Sequence, residues 1–135
     1  MRSIIAMAVL SFSSVLAFAA GFDSIPLASG AEVLRTEDFS VGTSGNGGDL
    51  KVPRGGTLTL DYVVEPGRQV RLGVLTSAQF QQASSGHKID GEPLLNVIIK
   101  GTGTQRLQLA AGDYSLLFLR VSGPVSVSYR ASIKE

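Results

Sequence analysis

From Gly56 onward the apolar residues recur at every second position, and that period limits what the chain can become more than any other feature. In the closing stretch PVSVSYRASI, Val125, Val127, Tyr129, Ala131 and Ile133 alternate with Ser126, Ser128, Arg130 and Ser132. Successive side chains of a strand point to opposite faces, so the run predicts a strand with one face in a core and one polar face. TLTLDYVV repeats the pattern, with Leu58, Leu60, Tyr62 and Val64 on one side and Thr57, Thr59 and Asp61 on the other. QVRLGVLT turns Val70, Leu72 and Val74 inward, and LLNVIIK, TQRLQLA and DYSLLFLRV continue the series. DYSLLFLRV is apolar on both faces, as a central strand covered on both sides would be. Two weaker candidates, EVLRTEDFSV and the neighbourhood of Leu50-Lys51-Val52, bring the total to seven or eight. The expected fold is all-β, an antiparallel β-sandwich, with a closed barrel as the alternative.

Turn chemistry separates these runs. In Glu65-Pro66-Gly67-Arg68, proline fixes φ at the second position and glycine is free to take φ > 0, so residues 57–75 are expected to form a hairpin. Gly101-Thr102-Gly103, Ala111-Gly112-Asp113 and Ser122-Gly123-Pro124 punctuate the later strands. Only SAQFQQAS, residues 77–84, loses the alternation. Ser77 as N-cap and Phe80 as its one large apolar anchor predict a single short helix there.

The first residues read as an address rather than as fold. Arg2 precedes an uncharged run that closes on Ala17-Phe18-Ala19, which predicts a secretory signal peptide over residues 1–19, cut before Ala20. Its apolar core, diluted by Ser11, Ser13 and Ser14, falls short of the roughly 20 apolar residues of a spanning helix, so no membrane span is expected after cleavage. Residues 20–135 then form one domain of ordinary size. The formal charge of +1 disappears with Arg2, and a neutral chain offers no electrostatic footprint for nucleic acid or an anionic membrane. An exported chain with no cysteine must be held by packing rather than disulfides, which fits a bacterial periplasmic or extracellular protein.

The glycine-rich stretch GTSGNGGDLKVPRGG, Gly42 to Gly56, invites a phosphate or calcium reading. A phosphate loop needs Gly-Lys-Ser/Thr opening a helix, and here the segment runs into the β-like Leu50-Lys51-Val52-Pro53. Gly45-Asn46-Gly47-Gly48-Asp49 partly matches the G-x-G-x-D core of calcium-binding β-roll repeats, but a single copy has no stacked neighbour to complete an ion site. A connecting loop is the expected role. ASSGHKID places Ser84, Ser85, His87 and Asp90 close in sequence, without the strand-turn-helix setting of a nucleophile elbow or a second element to supply an oxyanion hole. His87 is the lone histidine, so no zinc site and no cofactor are expected. Among the carboxylates, adjacent Glu37 and Asp38 point apart in a strand, Asp61 lies on a solvated strand face and Asp113 in a turn. The absence of tryptophan leaves a sugar-stacking platform poorly supplied, with Phe22, Phe39 and Phe80 the aromatics not assigned inward.

Residues 107–133, LQLAAGDYSLLFLRVSGPVSVSYRASI, resemble the closing hairpin and last strand of bacterial pre-peptidase C-terminal domains and of GOLD-type modules, with Gly112 and Tyr114 in the places of the turn glycine and the tyrosine after it. VLTSAQFQQASSG, residues 74–86, resembles a strand-to-helix insertion of some such modules. The likeness covers residues 50–133 and rests on L-x-x-G-x-Y. It implies an accessory or binding role without catalysis, and no functional residue carries over.

The expectation is therefore a non-catalytic binding or accessory module of the bacterial cell envelope, its partner a protein or another envelope component. Its contacts would sit on the loops 42–56 and 84–93, with Gly45, Asn46, Asp49, His87 and Asp90 as candidates. One alternative is an assembly subunit pairing through an exposed sheet edge, with the last strand as the edge. A small hydrolase using Asp90 or Glu92 beside His87 is the other.

Overall fold

The computed structural model describes residues 26–43 and 45–135, so the signal-peptide expectation and Phe22 lie outside the described residues. Eight strands and one helix follow in the order β1 (Glu32–Val41), β2 (Asn46–Val52), β3 (Gly56–Val64), β4 (Val70–Thr76), α1 (Ser77–Ser84), β5 (Leu95–Ile99), β6 (Thr102–Leu109), β7 (Gly112–Arg120) and β8 (Val125–Lys134). They form two four-stranded antiparallel sheets, β1-β8-β3-β6 and β2-β7-β4-β5. Every connection except that from β4 through α1 to β5 crosses from one sheet to the other, which is the strand order of a jelly roll. The protein is a β-sandwich, as the alternation predicts.

The core is the sum of the inward positions of that alternation. Leu58, Leu60 and Val64 of β3, Val70, Leu72 and Val74 of β4, Leu116 and Phe118 of β7, and Val125, Val127, Tyr129 and Ala131 of β8 are all buried between the sheets. At one end Phe118 and Tyr129 have ring centroids 5.1 Å apart and Phe39 packs edge-on to both. The L-x-x-G-x-Y signature also has a physical role. Tyr114 Oη donates to the Ala110 carbonyl at 2.7 Å and ties the entry of β7 to the chain just before it, the geometry of a tyrosine corner.

Three expectations are corrected. Residues 57–75 do not form a hairpin, because β8 and β6 occupy both edges of β3, and residues 65–69 carry the chain across to β4 in the facing sheet. The turn itself forms, with Arg68 N–H donating to the Glu65 carbonyl at 3.1 Å and Gly67 at φ +78°. The last strand is not an edge: β8 sits between β1 and β3, and the edges are β1, β6, β2 and β5. Asp61 is not solvated. It is 4% exposed on the outer face of β3, where Arg130 Nη2 reaches its Oδ2 at 2.8 Å and the Thr104 hydroxyl donates to Oδ1 at 2.8 Å.

Candidate functional site

The glycine stretch is a strand through its middle. From Asn46 to Val52 it pairs with β7, Gly47 opposite Leu117 and Gly48 opposite Leu116. The expected loop residues Gly45, Asn46 and Asp49 therefore lie at the start of an edge strand and on it. The turn before it is closed by Gly45 N–H donating to the Gly42 carbonyl at 3.0 Å and by Asn46 Oδ1 accepting from Gly42 N–H at 2.8 Å. Gly45 has φ +85°, and a Cβ there would stand 2.6 Å from Leu119 Cδ2 and 2.9 Å from the Phe118 carbonyl. Only glycine lets the backbone come this close to β7 in that conformation.

Helix α1 lies over the outer face of the same sheet, packed on β4 and β7. It starts on a capping box one residue earlier than expected. Thr76 Oγ1 accepts from Gln79 N–H at 3.1 Å, and Gln79 Oε1 accepts from Thr76 N–H at 3.0 Å. Two separate hollows lie along α1 and β2, together called the trench. One end, of about 320 Å³, is walled by Phe80, Ala83, Leu117 and Leu119 and floored by Gly45 to Gly47. The other end, of about 300 Å³, is polar, with Asp49, Lys51, Ser77, Gln81 and Asp113 around it. A Cβ on Gly47 would lie 3.3 Å from Phe80 Cε1, so the bare strand is what lets the ring rest there.

Behind β2 a polar network closes the margin of the sandwich. Arg35 Nε and Nη2 donate to the two carboxylate oxygens of Glu37 at 3.1 and 3.0 Å, and Arg35 Nη1 reaches across the sheets to the Asp49 carbonyl at 3.2 Å. Tyr129, only 1% exposed, donates to Glu37 Oε1 at 2.6 Å. Gly48 makes room, since a Cβ on it would stand 2.9 Å from Arg35 Nε. Hydrogen bonding to Arg35 holds the Glu37 carboxyl below its usual value against the opposing effect of burial, with Tyr129 adding to the lowering. Burial first, and the contact with anionic Glu37 second, push the Tyr129 phenol up. Such a network keeps Glu37 ionised and Tyr129 neutral at neutral pH, which suits a clasp between sheets rather than proton transfer.

The second group of expected residues is not brought to the trench. His87 is exposed just past the end of α1, its N–H donating to the Gln82 carbonyl at 2.9 Å. Asp90 is held by Gln82, which donates to Oδ2 and accepts from the Asp90 N–H, both at 2.9 Å. Gln79 Nε2 further donates to the carbonyls of Asp90 and Glu92 at 2.9 and 3.0 Å. Asp90 thus fastens the 85–93 connection to α1 through Oδ2 and its own N–H. Among the described residues no group of three or more His, Asp or Glu side chains is placed to hold a metal ion, and no helix is long and apolar enough to cross a membrane. Sequence reasoning missed Phe80, Leu117 and Leu119 as a set, and missed Arg35 and Glu37. The available signal was Arg35, Glu37 and Phe39 at alternate positions of one strand, two charges on the same face as a core aromatic.

No family model and no curated protein matches the chain. Among solved structures, a β-glucosidase from Paenibacillus barengoltzii is similar over 72% of this chain and 10% of its own length, at 20% identity and a TM-score of 0.40.

Proposed function

We propose that the chain is an exported, non-catalytic binding or accessory module of the bacterial cell envelope, and that its recognition surface is the trench between α1 and β2. One observation carries this reading. Phe80, Leu117 and Leu119 gather beside backbone that glycines leave bare, on two elements fixed to the rigid sheet. Two of the carboxylates are engaged structurally, Asp90 with Gln82 and Glu37 with Arg35 and Tyr129. The signal-like residues 1–19 and the likeness of residues 107–133 to pre-peptidase C-terminal modules support export and an accessory role.

The test is a thermal-shift screen of the purified protein against envelope glycans, lipids, extended peptides and divalent cations. A ligand at 100 times its dissociation constant adds about 2.7 kcal/mol, enough to raise the midpoint of a domain this size by several degrees. Leu119→Lys places a charge at the apolar end of the trench from a side chain that is already 36% exposed, so the fold is retained and the shift is lost. A shift that persists in Leu119→Lys and disappears in His87→Ala would move the site to the 85–93 connection.

A further inference from the structure

Three of the four sheet edges carry features that discourage pairing with another chain. β1 has a bulge between Val33 and Arg35 and a run of charges, β2 has Asp49 and Lys51, and β6 has Arg106. β5, LNVII, is the shortest of the four at 5 residues but has no charge, glycine or proline, and Leu94 and Ile98 beside and on it are 43% and 48% exposed. Leu95 and Val97, on its inner face, are only partly buried at the same margin.

The stretch is also self-complementary when reversed. Laid antiparallel on a second copy and centred on Asn96, EPLLNVIIK sets Asn96 against Asn96, Leu94 against Ile98, and Glu92 against Lys100. Asn96 and Ile98 stand opposite Gly73 and Arg71 of β4 on the outer face of the sheet, and Leu94, just before the strand, donates its N–H to the Val74 carbonyl at 2.8 Å. A two-fold pairing in this register therefore sets each exposed Leu94 beside the Ile98 of the other copy, and brings Glu92, in the segment before the strand, toward Lys100 just past the end of the other copy's strand. A closed two-fold contact uses one patch twice, and this patch matches its own reverse in both apolarity and charge.

We propose that a second copy of this chain pairs with it along β5, joining the two β2-β7-β4-β5 sheets into one eight-stranded sheet about a two-fold axis at Asn96. The free backbone groups of β5 are satisfied across the axis, and the trench, on the far side of the sheet at β2, stays open in both copies.

Sedimentation velocity of the purified protein over a concentration series reads the association directly. The expected result is a concentration-dependent dimer. Ile98→Lys, a change at an exposed position, weakens it by roughly tenfold or more. Glu92→Lys or Lys100→Glu alone weakens it by roughly twofold to fivefold, and the double reversal restores it. The chain has no cysteine, so Asn96→Cys supplies a single thiol. Opposed residues of an antiparallel pair have Cα atoms roughly 4.5–5.5 Å apart, within disulfide reach, so mild oxidation gives a covalent dimer. Gln108→Cys on β6 gives none. A strict monomer throughout the series overturns the proposal, as does a dimer indifferent to Ile98→Lys. Failure of both the double reversal and the Asn96→Cys crosslink overturns the register.

Discussion

The Tyr129 hydroxyl donates to Glu37 Oε1 at 2.6 Å and joins the central strand β8 to the edge strand β1 at a point where Arg35, on the same carboxylate, reaches over to β2. One carboxylate thus ties both sheets at the margin beside the glycine strand. Because Glu37 is held below its ordinary value, its contribution is fully present above that value and is lost as pH falls through the lowered one. Acid therefore loosens the β1–β2 margin. Urea unfolding midpoints taken from about pH 7 down to about pH 3 should decline in the wild type, and Glu37→Gln should flatten part of that decline. Identical acid limbs in the two proteins would remove Glu37 from the account.

Tyr129 predicts the opposite limb. Its phenol is pushed above the ordinary 10.0, chiefly by burial, so its contribution is complete below that value and is lost as pH rises beyond it. Tyr129→Phe keeps the ring against Phe39 and Phe118 and deletes the hydroxyl. At neutral pH the loss of a hydrogen bond to a half-exposed carboxylate should cost about 1–2 kcal/mol. Above about pH 10 the gap between variant and wild type should narrow, because the variant has no phenol to ionise. A gap that stays constant in alkali would mean that Tyr129 does not titrate in the unfolded chain over that range or does not lose its place in the fold when it does.

Asp61 and Arg130 form an ion pair on the outer face of the β8–β3 pair, with side chains 6% and 13% exposed. Removing one member of a buried pair leaves the other charge desolvated, which typically costs about 3–5 kcal/mol. Asp61→Ala should fall near the lower end of that range, since Arg130 is close to the surface and water can reach it. Asp61→Asn, which still accepts from Thr104, should cost less. Equal effects of the two would assign the cost to the lost charge and leave nothing for the Thr104 contact.

How much of this the chain announces depends on the kind of information involved. The two-residue period identifies β3, β4, β6, β7 and β8 to within a residue or two, because each buries one face, and α1 is found at Ser77–Ser84 because the period breaks there. The period says which face of a strand is apolar but not which sheet holds it. Pro66-Gly67 reverses the chain equally well within a sheet or between two, and only the occupation of both β3 edges decides. Of β2 only the neighbourhood of Leu50-Lys51-Val52 is legible, because Gly47 and Gly48 have no side chains to alternate, and the first half becomes a strand through its partner β7. Asp61 has a polar neighbourhood in the sequence and a dry one in the fold, since Arg130 and Thr104 come from strands 69 and 43 residues away. The trench is in the same class. It needs α1 laid over β7 with Gly47 beneath Phe80, a contact between residues with no periodic relation.

Gln79 gives the sharpest local prediction. This side chain is 8% exposed and completes three hydrogen bonds, accepting from Thr76 N–H in the capping box and donating to the carbonyls of Asp90 and Glu92. Gln79→Leu preserves the helix propensity and approximate volume but leaves Thr76 N–H and both carbonyls without these partners. The expected loss is about 2 kcal/mol, concentrated where the bonds were. Amide exchange should therefore accelerate across α1 and residues 85–93, while the buried amides of β7 and β8 keep their protection relative to the global unfolding limit. Gln82→Ala, which frees Asp90 alone at an exposed position, should speed exchange only near Asp90. If Gln79→Leu instead lowers protection uniformly through both sheets, α1 and its connection unfold with the sandwich as one unit. The wall of the trench formed by Phe80 and Ala83 would then be as rigid as the sheet beneath it.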